Sequence, residues 1–227
     1  EIVIHLAGKT FVPDSWKNPE IFINTNVAGT HLVLNYCRKN NSKLIYLSSY
    51  LYGNPKKIPI DENEPVKTTN PYMLSKNISE DLCDFYSKNY GVNVLILRPF
   101  NVYGPNQKEH FLIPSIIRQV NLEKEIKVKD LKPKRDFIYV KDLIEAIIKT
   151  IELKMNFEII NIASGISYSV SEVIEEIQKV KGTNLKVTSS EEIRNDEIMD
   201  TKANIKKAKK LLNWSPQWSF KKAIKDI

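Results

Sequence analysis

Residues 70–97, NPYMLSKNISEDLCDFYSKNYGVNVLIL, contain a complete helix followed by a strand. Asn70 can cap the helix through its side-chain oxygen, and Pro71 fits the first helical turn, where no amide hydrogen is needed. Gly91 supplies the left-handed residue that commonly ends a helix. Spacings of three and four predict the buried face of this helix as Leu74, Ile78, Leu82 and Phe85. Residues 92–97 then predict a buried strand.

The same alternation of helices and strands extends in both directions along the chain. Residues 2–7 are apolar except for His5, which is typical of a strand buried on both faces of a parallel sheet. A helix over 25–38 and a buried strand over 44–47 follow. The later predicted elements are a helix from about 114, strands at 126–128 and 137–140, a helix at 141–154, a strand at 157–162, a helix from the capping box Ser169–Glu172 to Gly182, and short helices near 204–213 and 219–226. This alternation predicts a doubly wound α/β fold.

The composition is that of an ordinary globular protein. The chain has 227 residues, 42% hydrophobic and 27% charged, and its apolar runs are too short to span a membrane. Cys37 and Cys83 lie in helix-like segments without metal or redox spacing, which indicates reduced core thiols in a cytoplasmic protein. The net charge of +7 comes mostly from lysines such as those at 206–210, which alternate with apolar residues. This favours a solvated helix face over a nucleic-acid site, and no cluster suggests a metal.

Tyr72 and Lys76 are the first candidate pair for chemistry. Residues four apart share one face of a helix, so the two side chains should project into the same site. A free tyrosine has a pKa of about 10, and a nearby ammonium favours the phenolate that could act as a base. The spacing alone is weak, because Tyr52 and Lys56 share it, although an intervening glycine and proline oppose a helical turn there. By itself, the Tyr72–Lys76 pair also fits an ordinary surface pair.

Further motifs surround this pair in a fixed order. They are HLAG at 5–8, NVAGT at 26–30, LSSYLYG at 47–53, LRPFNVYGP at 97–105, RDFIYV at 135–140, NIASG at 161–165 and KKLLNW at 209–214. In this order they resemble the extended short-chain dehydrogenase/reductases of the NAD-dependent epimerase/dehydratase family. The resemblance implies a Rossmann-like, doubly wound parallel sheet with a small C-terminal substrate-binding α/β lobe. It assigns residues 1–104, with 136–163, to the NAD-binding domain, and residues 105–135 and 164–227 to the lobe.

The resemblance also implies roles for individual residues. Tyr72 corresponds to the family's general base and acid, and Lys76 to the lysine that lowers the pKa of that tyrosine. Ser49 corresponds to the catalytic hydroxyl. Ser48 stays open as the alternative, because this loop is one residue shorter than the common family form. The residues implied in NAD binding are Leu6, Ala7, Gly8, Lys9, Thr10, Thr25, Ser48, Tyr72, Lys76 and Phe100. Those implied in binding a nucleotide sugar are Ser49, Asn101, Leu112, Arg135 and Arg194.

Several of these residues have simpler interpretations. The guanidinium fork of Arg135 suits phosphate oxygens, but it can equally form a salt bridge with Asp136. Phe100 and Leu112 also fit plain core packing. His5 is expected to hydrogen-bond inside the core rather than to ligate anything.

The glycine-rich phosphate-binding turn of the family is not found in this sequence. The chain has seven glycines, and no two lie closer than thirteen residues. The resemblance therefore predicts an N-terminally truncated Rossmann sheet that lacks roughly 60 residues of fingerprint-bearing βαβ structure and begins at the fourth strand. Completion by a separate polypeptide is the alternative. We expect the chain alone to expose an apolar edge strand, to self-associate and to bind NAD weakly.

The residues after Ser49 bear on the reaction. In this family, 4,6-dehydratases follow the catalytic hydroxyl with an acidic pair, and decarboxylases place a glutamate nearby, whereas Tyr50, Leu51 and Tyr52 stand here. The resemblance thus favours 4-epimerisation of a UDP-hexose through transient oxidation at C4. The full-length protein would be an NAD-dependent isomerase and a homodimer. A 4-keto reductase and a non-catalytic fragment or binding module stay open as alternatives.

Overall fold

The computed structural model describes residues 1–192 and 198–227, so Arg194 lies outside the described residues. The strands are β1 Ile2–His5, β2 Lys43–Leu47, β3 Val94–Pro99, β4 Asn101–Tyr103, β5 Glu125–Val128, β6 Lys134–Tyr139, β7 Phe157–Ile162, β8 Ser167–Ser169, β9 Lys186–Ser189 and β10 Asp200–Thr201. The helices are α1 Val12–Lys17, α2 Pro19–Phe22, α3 Gly29–Asn40, α4 Pro71–Tyr90, α5 Leu112–Leu122, α6 Val140–Ile151, α7 Val170–Lys181, α8 Lys206–Leu212 and α9 Phe220–Asp226. A π-helical segment, Ile23–Ala28, leads into α3.

The main sheet contains four parallel strands in the order β1-β2-β3-β7. Successive strand residues point to opposite faces. On one face, residues such as Tyr46 and Ile96 pack against α3 and α4. On the other face, residues such as Leu97 and Ile160 pack against α6 and α8. Helices on both faces of a parallel sheet confirm the predicted doubly wound α/β architecture.

The first strand differs from its prediction. It ends at His5, and it is not buried on both faces, because Ile2 and Ile4 are each 39% exposed. The reason is its place in the sheet, since β1 pairs with β2 alone among the described strands and only its Val3 side faces α3. The His5 side chain is buried, and its Nε2 lies 3.2 Å from the hydroxyl of Thr30, as expected for a core hydrogen bond.

The long helix α4 begins and ends as predicted, but the predicted apolar stripe is only partly buried, through Ile78 and Leu82. Asn70 accepts a hydrogen bond from the amide of Met73, and Gly91 closes the helix with a φ of 68°. Leu74 and Phe85 are, however, 45% and 50% exposed. The buried side is instead formed by Met73, Ser75, Lys76, Ser79, Glu80, Cys83 and Tyr86. This side turns inward because its polar groups meet buried partners, such as the Glu80 carboxylate with an arginine of β3.

A second region packs around the C-terminal half of the chain. Strands β10, β6 and β4 form one small sheet, to which β8 adds antiparallel to β6, and β5 pairs with β9. Helices α5, α7 and α9 pack on a shared apolar core that includes Ile116, Ile174 and Phe220. The capping box of Ser169 and Glu172 is confirmed, with both of its hydrogen bonds present. The strands β4, β8, β9 and β10 were not predicted, because two to four residues are too few to show a periodicity.

Other predictions about composition can be compared with the structure. Cys37 and Cys83 are both free and buried, which confirms the expectation of core thiols. In the described ranges, every helix is too short or too polar to cross a membrane.

Gly104 lies where β4 approaches the start of α6, and this close approach generates a prediction. A Cβ atom at this position would lie 2.5 Å from Cγ1 of Val140. We expect Gly104→Ala to lower the free energy of unfolding by about 1–3 kcal/mol through overpacking. In a Val140→Ala background, which removes the crowding methyl, the cost should shrink. Gly29→Ala is the control, because nothing lies within 4 Å of its Cβ position, and denaturant titration should show little change or a slight gain. Equal costs in both backgrounds would contradict the prediction.

Candidate functional site

The candidate site lies where the chain leaves the carboxyl ends of β1, β2 and β3. Tyr72 is in the first turn of α4, and Ser49 follows two residues after the end of β2. Burial raises the pKa of Tyr72 to about 12, and its hydrogen bond with the Ser49 side chain partly offsets that rise. Ser48 lies in a different environment, because its hydroxyl is buried without a partner in the described part of the chain. Ser49, and not Ser48, is therefore the serine that acts on the pKa of Tyr72.

Lys76 is 4% exposed, and it follows Tyr72 by one turn of α4. Its Nζ donates to the carbonyl oxygen of Leu47 at 2.7 Å and to the hydroxyl of Tyr46 at 3.2 Å. Burial lowers the pKa of Lys76 to about 8, while the nearby carboxylate of Glu80 acts in the opposite direction. The expected lowering of the Tyr72 pKa by Lys76 is wrong for this structure. Burial governs the phenol, because the ammonium is engaged by groups of β2 instead.

Asn26 was not among the predicted site residues, although it belongs to a quoted motif. Its Oδ1 accepts a hydrogen bond from the backbone amide of Lys9 at 2.8 Å. Its Nδ2 donates to the carbonyl of Lys9 at 3.1 Å and to the hydroxyl of Ser75 at 2.9 Å. Asn26 thus joins the loop after β1 to α4. An amide inside a predicted helix, where a polar side chain needs a buried partner, was the available signal.

The loop after β1 is held close to the ammonium of Lys76. Gly8 is its closest point, because a Cβ atom there would lie 3.1 Å from Oδ1 of Asn26 and 3.6 Å from Nζ of Lys76. Leu6 is 57% exposed. The paired register of β1 and β2 ends at His5↔Tyr46. Counting three residues onward in each segment leads to Gly8 and Ser49. The other predicted residues of this stretch, Ala7, Lys9 and Thr10, are exposed, and Thr25 is half-buried on the π-helical segment.

Phe100 and Asn101 follow β3 and contact Tyr50, the residue after Ser49. The Phe100 ring is 3% exposed and stacks on the ring of Tyr50, with centroids 5.0 Å apart. Nδ2 of Asn101 donates to the carbonyl oxygen of Asp136 at 3.0 Å. Leu112 is not part of this cluster, because it packs against the core shared by α5 and α7.

Arg135 lies on β6, two residues before the ladder partner of Asn101. Its guanidinium donates to the backbone carbonyls of Lys134 at 2.8 Å and Ile198 at 2.5 Å. The sequence offered the Asp136 carboxylate as an alternative salt-bridge partner of Arg135. This carboxylate accepts hydrogen bonds from other groups. The donors to this carboxylate are the amide and hydroxyl of Ser164 and the amides of Gly165 and Ala203. Asp136 therefore ties β6 to two neighbouring segments.

A buried polar network connects the elements that carry the site residues. Glu80 on α4 and Arg98 on β3 form an ion pair at 2.5 Å, with side chains 5% and 4% exposed. Arg98 also donates to the hydroxyl of Tyr52 at 2.9 Å, and Tyr52 donates to Oδ1 of Asn161 at 2.6 Å. The network joins the helix of Tyr72 to the sheet and to the loop that carries Ser49.

Comparison with known proteins adds to this geometry. Residues 1–227 match the sequence model of the family described as GDP-mannose 4,6 dehydratase. A putative UDP-glucose 4-epimerase of Methanocaldococcus jannaschii is 34% identical, over 100% of this chain and 75% of that protein. The GDP-6-deoxy-D-mannose reductase of Pseudomonas aeruginosa is 28% identical, over 100% of this chain and 79% of that protein.

A solved structure shows the same fold. The UDP-glucuronic acid 4-epimerase of Bacillus cereus, in complex with UDP-glucuronic acid and NAD, superimposes with a TM-score of 0.92 at 29% identity. The match covers 99% of this chain and 73% of that chain. The arrangement of strands and helices is therefore one found in nucleotide-sugar epimerases.

The buried ammonium of Lys76 predicts a dependence of stability on pH. The unfolded chain holds this proton up to a pKa of about 10.4, whereas the folded chain releases it near 8. Between these values the unfolded state binds more protons, so the free energy of unfolding should rise with pH, by at most about 1.4 kcal/mol per unit. Lys76→Met should lose this rise when unfolding is measured from pH 8 to 10. Lys88→Met, on the exposed side of α4, should keep it. Parallel curves for all three proteins would contradict the assignment.

Proposed function

The chain belongs to the GDP-mannose 4,6-dehydratase family of extended short-chain dehydrogenase/reductases, and we propose that it is an NAD-dependent 4-epimerase of a UDP-hexose. The observation that carries the proposal is the pairing of the Tyr72 and Ser49 side chains, with the buried Lys76 one turn further along α4. The side chains that follow Ser49, from Tyr50 to Tyr52, are all uncharged at neutral pH. A site that offers hydroxyls and no acidic pair suits oxidation and reduction at C4 better than elimination.

The residues present fit the nicotinamide end of NAD. The Ser48 hydroxyl is buried and without a partner in the described part of the chain, so a ligand group could satisfy it. The Lys76 ammonium would donate to ribose hydroxyls, and the absence of a side chain at Gly8 keeps the space beside it open. We therefore assign Gly8, Ser48, Lys76 and Phe100 to the cofactor. Held by these residues, NAD would supply the hydride acceptor and donor for C4 of the sugar.

Tyr72 would take the proton of the sugar 4-hydroxyl and later give it back. Its pKa of about 12 opposes this, so the phenolate needs a nearby positive charge. Because Lys76 does not lower the pKa of Tyr72, a positively charged ligand such as the nicotinamide ring would have to provide that charge. The Ser49 hydroxyl would hydrogen-bond the oxygen at C4 as it becomes a carbonyl. Asn101 and Arg135 would hold the diphosphate, which leaves the hexosyl group free to turn over between hydride transfers.

A nucleotide-sugar 4-keto reductase is the second candidate. The similarity to a GDP-6-deoxy-D-mannose reductase favours it, and the same tyrosine could protonate the alkoxide formed at C4. The two activities differ in one observable. An epimerase interconverts two nucleotide sugars with no net consumption of cofactor, whereas a reductase consumes one reduced cofactor per turnover.

We also propose that the partner is a second copy of this chain, bound through α3 and α4. The outward side of these two adjacent helices is apolar, with Leu32 67% and Phe85 50% exposed. Tyr36, Leu74 and Tyr90 extend the same exposed surface. Contiguous apolar surface of this kind commonly marks a protein interface. A two-fold arrangement would cover one such surface with another, because a dimer of identical chains uses the same patch twice.

The role of Tyr72 can be tested with UDP-glucose, UDP-galactose and added NAD, with interconversion followed by proton NMR. Tyr72→Phe should lower kcat by roughly 10²–10⁴, the usual effect of losing a general base, while the fold is preserved. Ser49→Ala should also slow turnover, and Ser48→Ala should affect it less. The reverse ranking of the two serines would place the catalytic hydroxyl at Ser48. Equal turnover by the parent and Tyr72→Phe would reject the mechanism.

The proposed interface makes a separate prediction in solution. Leu32→Glu and Phe85→Glu place a charge on the apolar surface, so each should shift the chain from dimer to monomer in size-exclusion chromatography with light scattering. Ile148→Glu is the matched control, because Ile148 is 57% exposed but lies on α6, on the other face of the sheet. A dimer that survives both substitutions, or that is lost only with Ile148→Glu, would refute the assignment.

A further inference from the structure

Tyr50 connects the two halves of the site, and neither the motifs nor the mechanism gives it a role. It follows Ser49 in the chain, and its backbone amide donates to the carbonyl oxygen of Pro99 at 3.2 Å. Its ring lies nearly parallel to that of Phe100, at an angle of 19°. It also lies close enough to Tyr72 for a charge on its phenol to raise the pKa of that residue. Tyr50 therefore stands between the hydroxyl pair and the residues that follow β3.

The hydroxyl of Tyr50 donates to Oδ1 of Asn101 at 3.2 Å. At its other end the same amide donates from Nδ2 to the carbonyl oxygen of Asp136 at 3.0 Å. A backbone carbonyl can only accept, so it selects the NH2 end of the amide, and the phenol secures the oxygen end. The two hydrogen bonds together allow one orientation of the Asn101 side chain.

This orientation decides what Asn101 can offer to a ligand. An amide NH2 group has two hydrogens, and in the described structure one of them serves Asp136. The second is available as a donor, which suits a phosphate oxygen or a sugar hydroxyl. A flipped amide would instead turn its acceptor oxygen toward the ligand, and a diphosphate, which has only acceptors, would be repelled.

We propose that Tyr50 is a positioning residue of the sugar-nucleotide site, which acts by fixing the donor end of the Asn101 amide toward the substrate's diphosphate. The inference rests on the proposed function, because that function supplies the nucleotide-sugar ligand. Its effect is on where the substrate is held, and the proton at C4 passes through Tyr72 without it. Tyr50→Phe keeps the ring stacked on Phe100 and removes only the hydroxyl.

The test is a titration with UDP, followed by calorimetry, together with steady-state kinetics on the UDP-hexose. Tyr50→Phe should weaken UDP binding and raise KM about fivefold, the size of one neutral hydrogen bond, while kcat and its pH profile stay unchanged. In an Asn101→Ala background, Tyr50→Phe should have no further effect on UDP affinity. Tyr139→Phe, which removes a hydroxyl bonded to Asp226 of α9, is the matched control and should behave as the parent.

Several results would overturn the assignment. Equal losses of UDP affinity from Tyr50→Phe with and without Asn101 would show that the hydroxyl does not act through the amide. A fall in kcat of about 100-fold with a shifted pH profile would make Tyr50 an acid–base group instead. UDP affinity unchanged by Tyr50→Phe would also reject it, as would a parent chain that does not bind UDP. A parent that binds UDP but leaves UDP-hexoses unchanged refutes the epimerase proposal alone, because the UDP titration still decides the role of Tyr50.

Discussion

The ion pair between Glu80 and Arg98 determines how the rest of the structure is arranged around the site. Two charges that are 5% and 4% exposed lose most of their hydration, and only close contacts from several groups can offset that loss. Arg98 has such contacts in the carboxylate of Glu80 and in Tyr52, whose hydroxyl it reaches and whose ring centroid lies 5.0 Å away. Because Glu80 can meet Arg98 in only one rotation of α4, the pair also sets the directions of Tyr72 and Lys76 on the same helix.

The site then follows from the parallel arrangement of the sheet. Loops at the carboxyl ends of parallel strands meet at one edge, and in open α/β sheets this edge is where ligands bind. Gly8 follows β1, Ser48 and Ser49 follow β2, and Phe100 with Asn101 follows β3. Residues that are distant in the chain are therefore brought to the same edge of the sheet. The amide of Asn26 holds the first of these loops against α4 and so completes the arrangement.

Burial acts on the two ionisable residues of the site in opposite directions on the pKa scale, and in both cases it favours the neutral form. It raises the pKa of Tyr72 to about 12 and lowers that of Lys76 to about 8. At neutral pH the site thus holds a protonated phenol and an ammonium whose pKa lies only slightly above the pH. A ligand that brings positive charge and excludes water can shift such a balance, because electrostatic interactions strengthen in a medium of low polarity. Proton transfer from the sugar would then depend on the occupied state of the site.

The sequence alone determined the alternation of helices and strands, the ends of α4 and the candidate catalytic pair Tyr72–Lys76, because these depend on local properties. Caps, glycine stops and apolar periodicity act within a few residues, as Asn70 and Gly91 illustrate. It did not determine which side of α4 faces inward. An apolar stripe was the natural expectation, but the buried side carries Lys76 and Glu80, whose partners come from strands far away in sequence. The same limit explains why Asn26 and Tyr50 were not predicted, and why Ser49 rather than Ser48 meets Tyr72. Tertiary structure decides these points, because a polar side chain is buried only where folding supplies a hydrogen-bond partner.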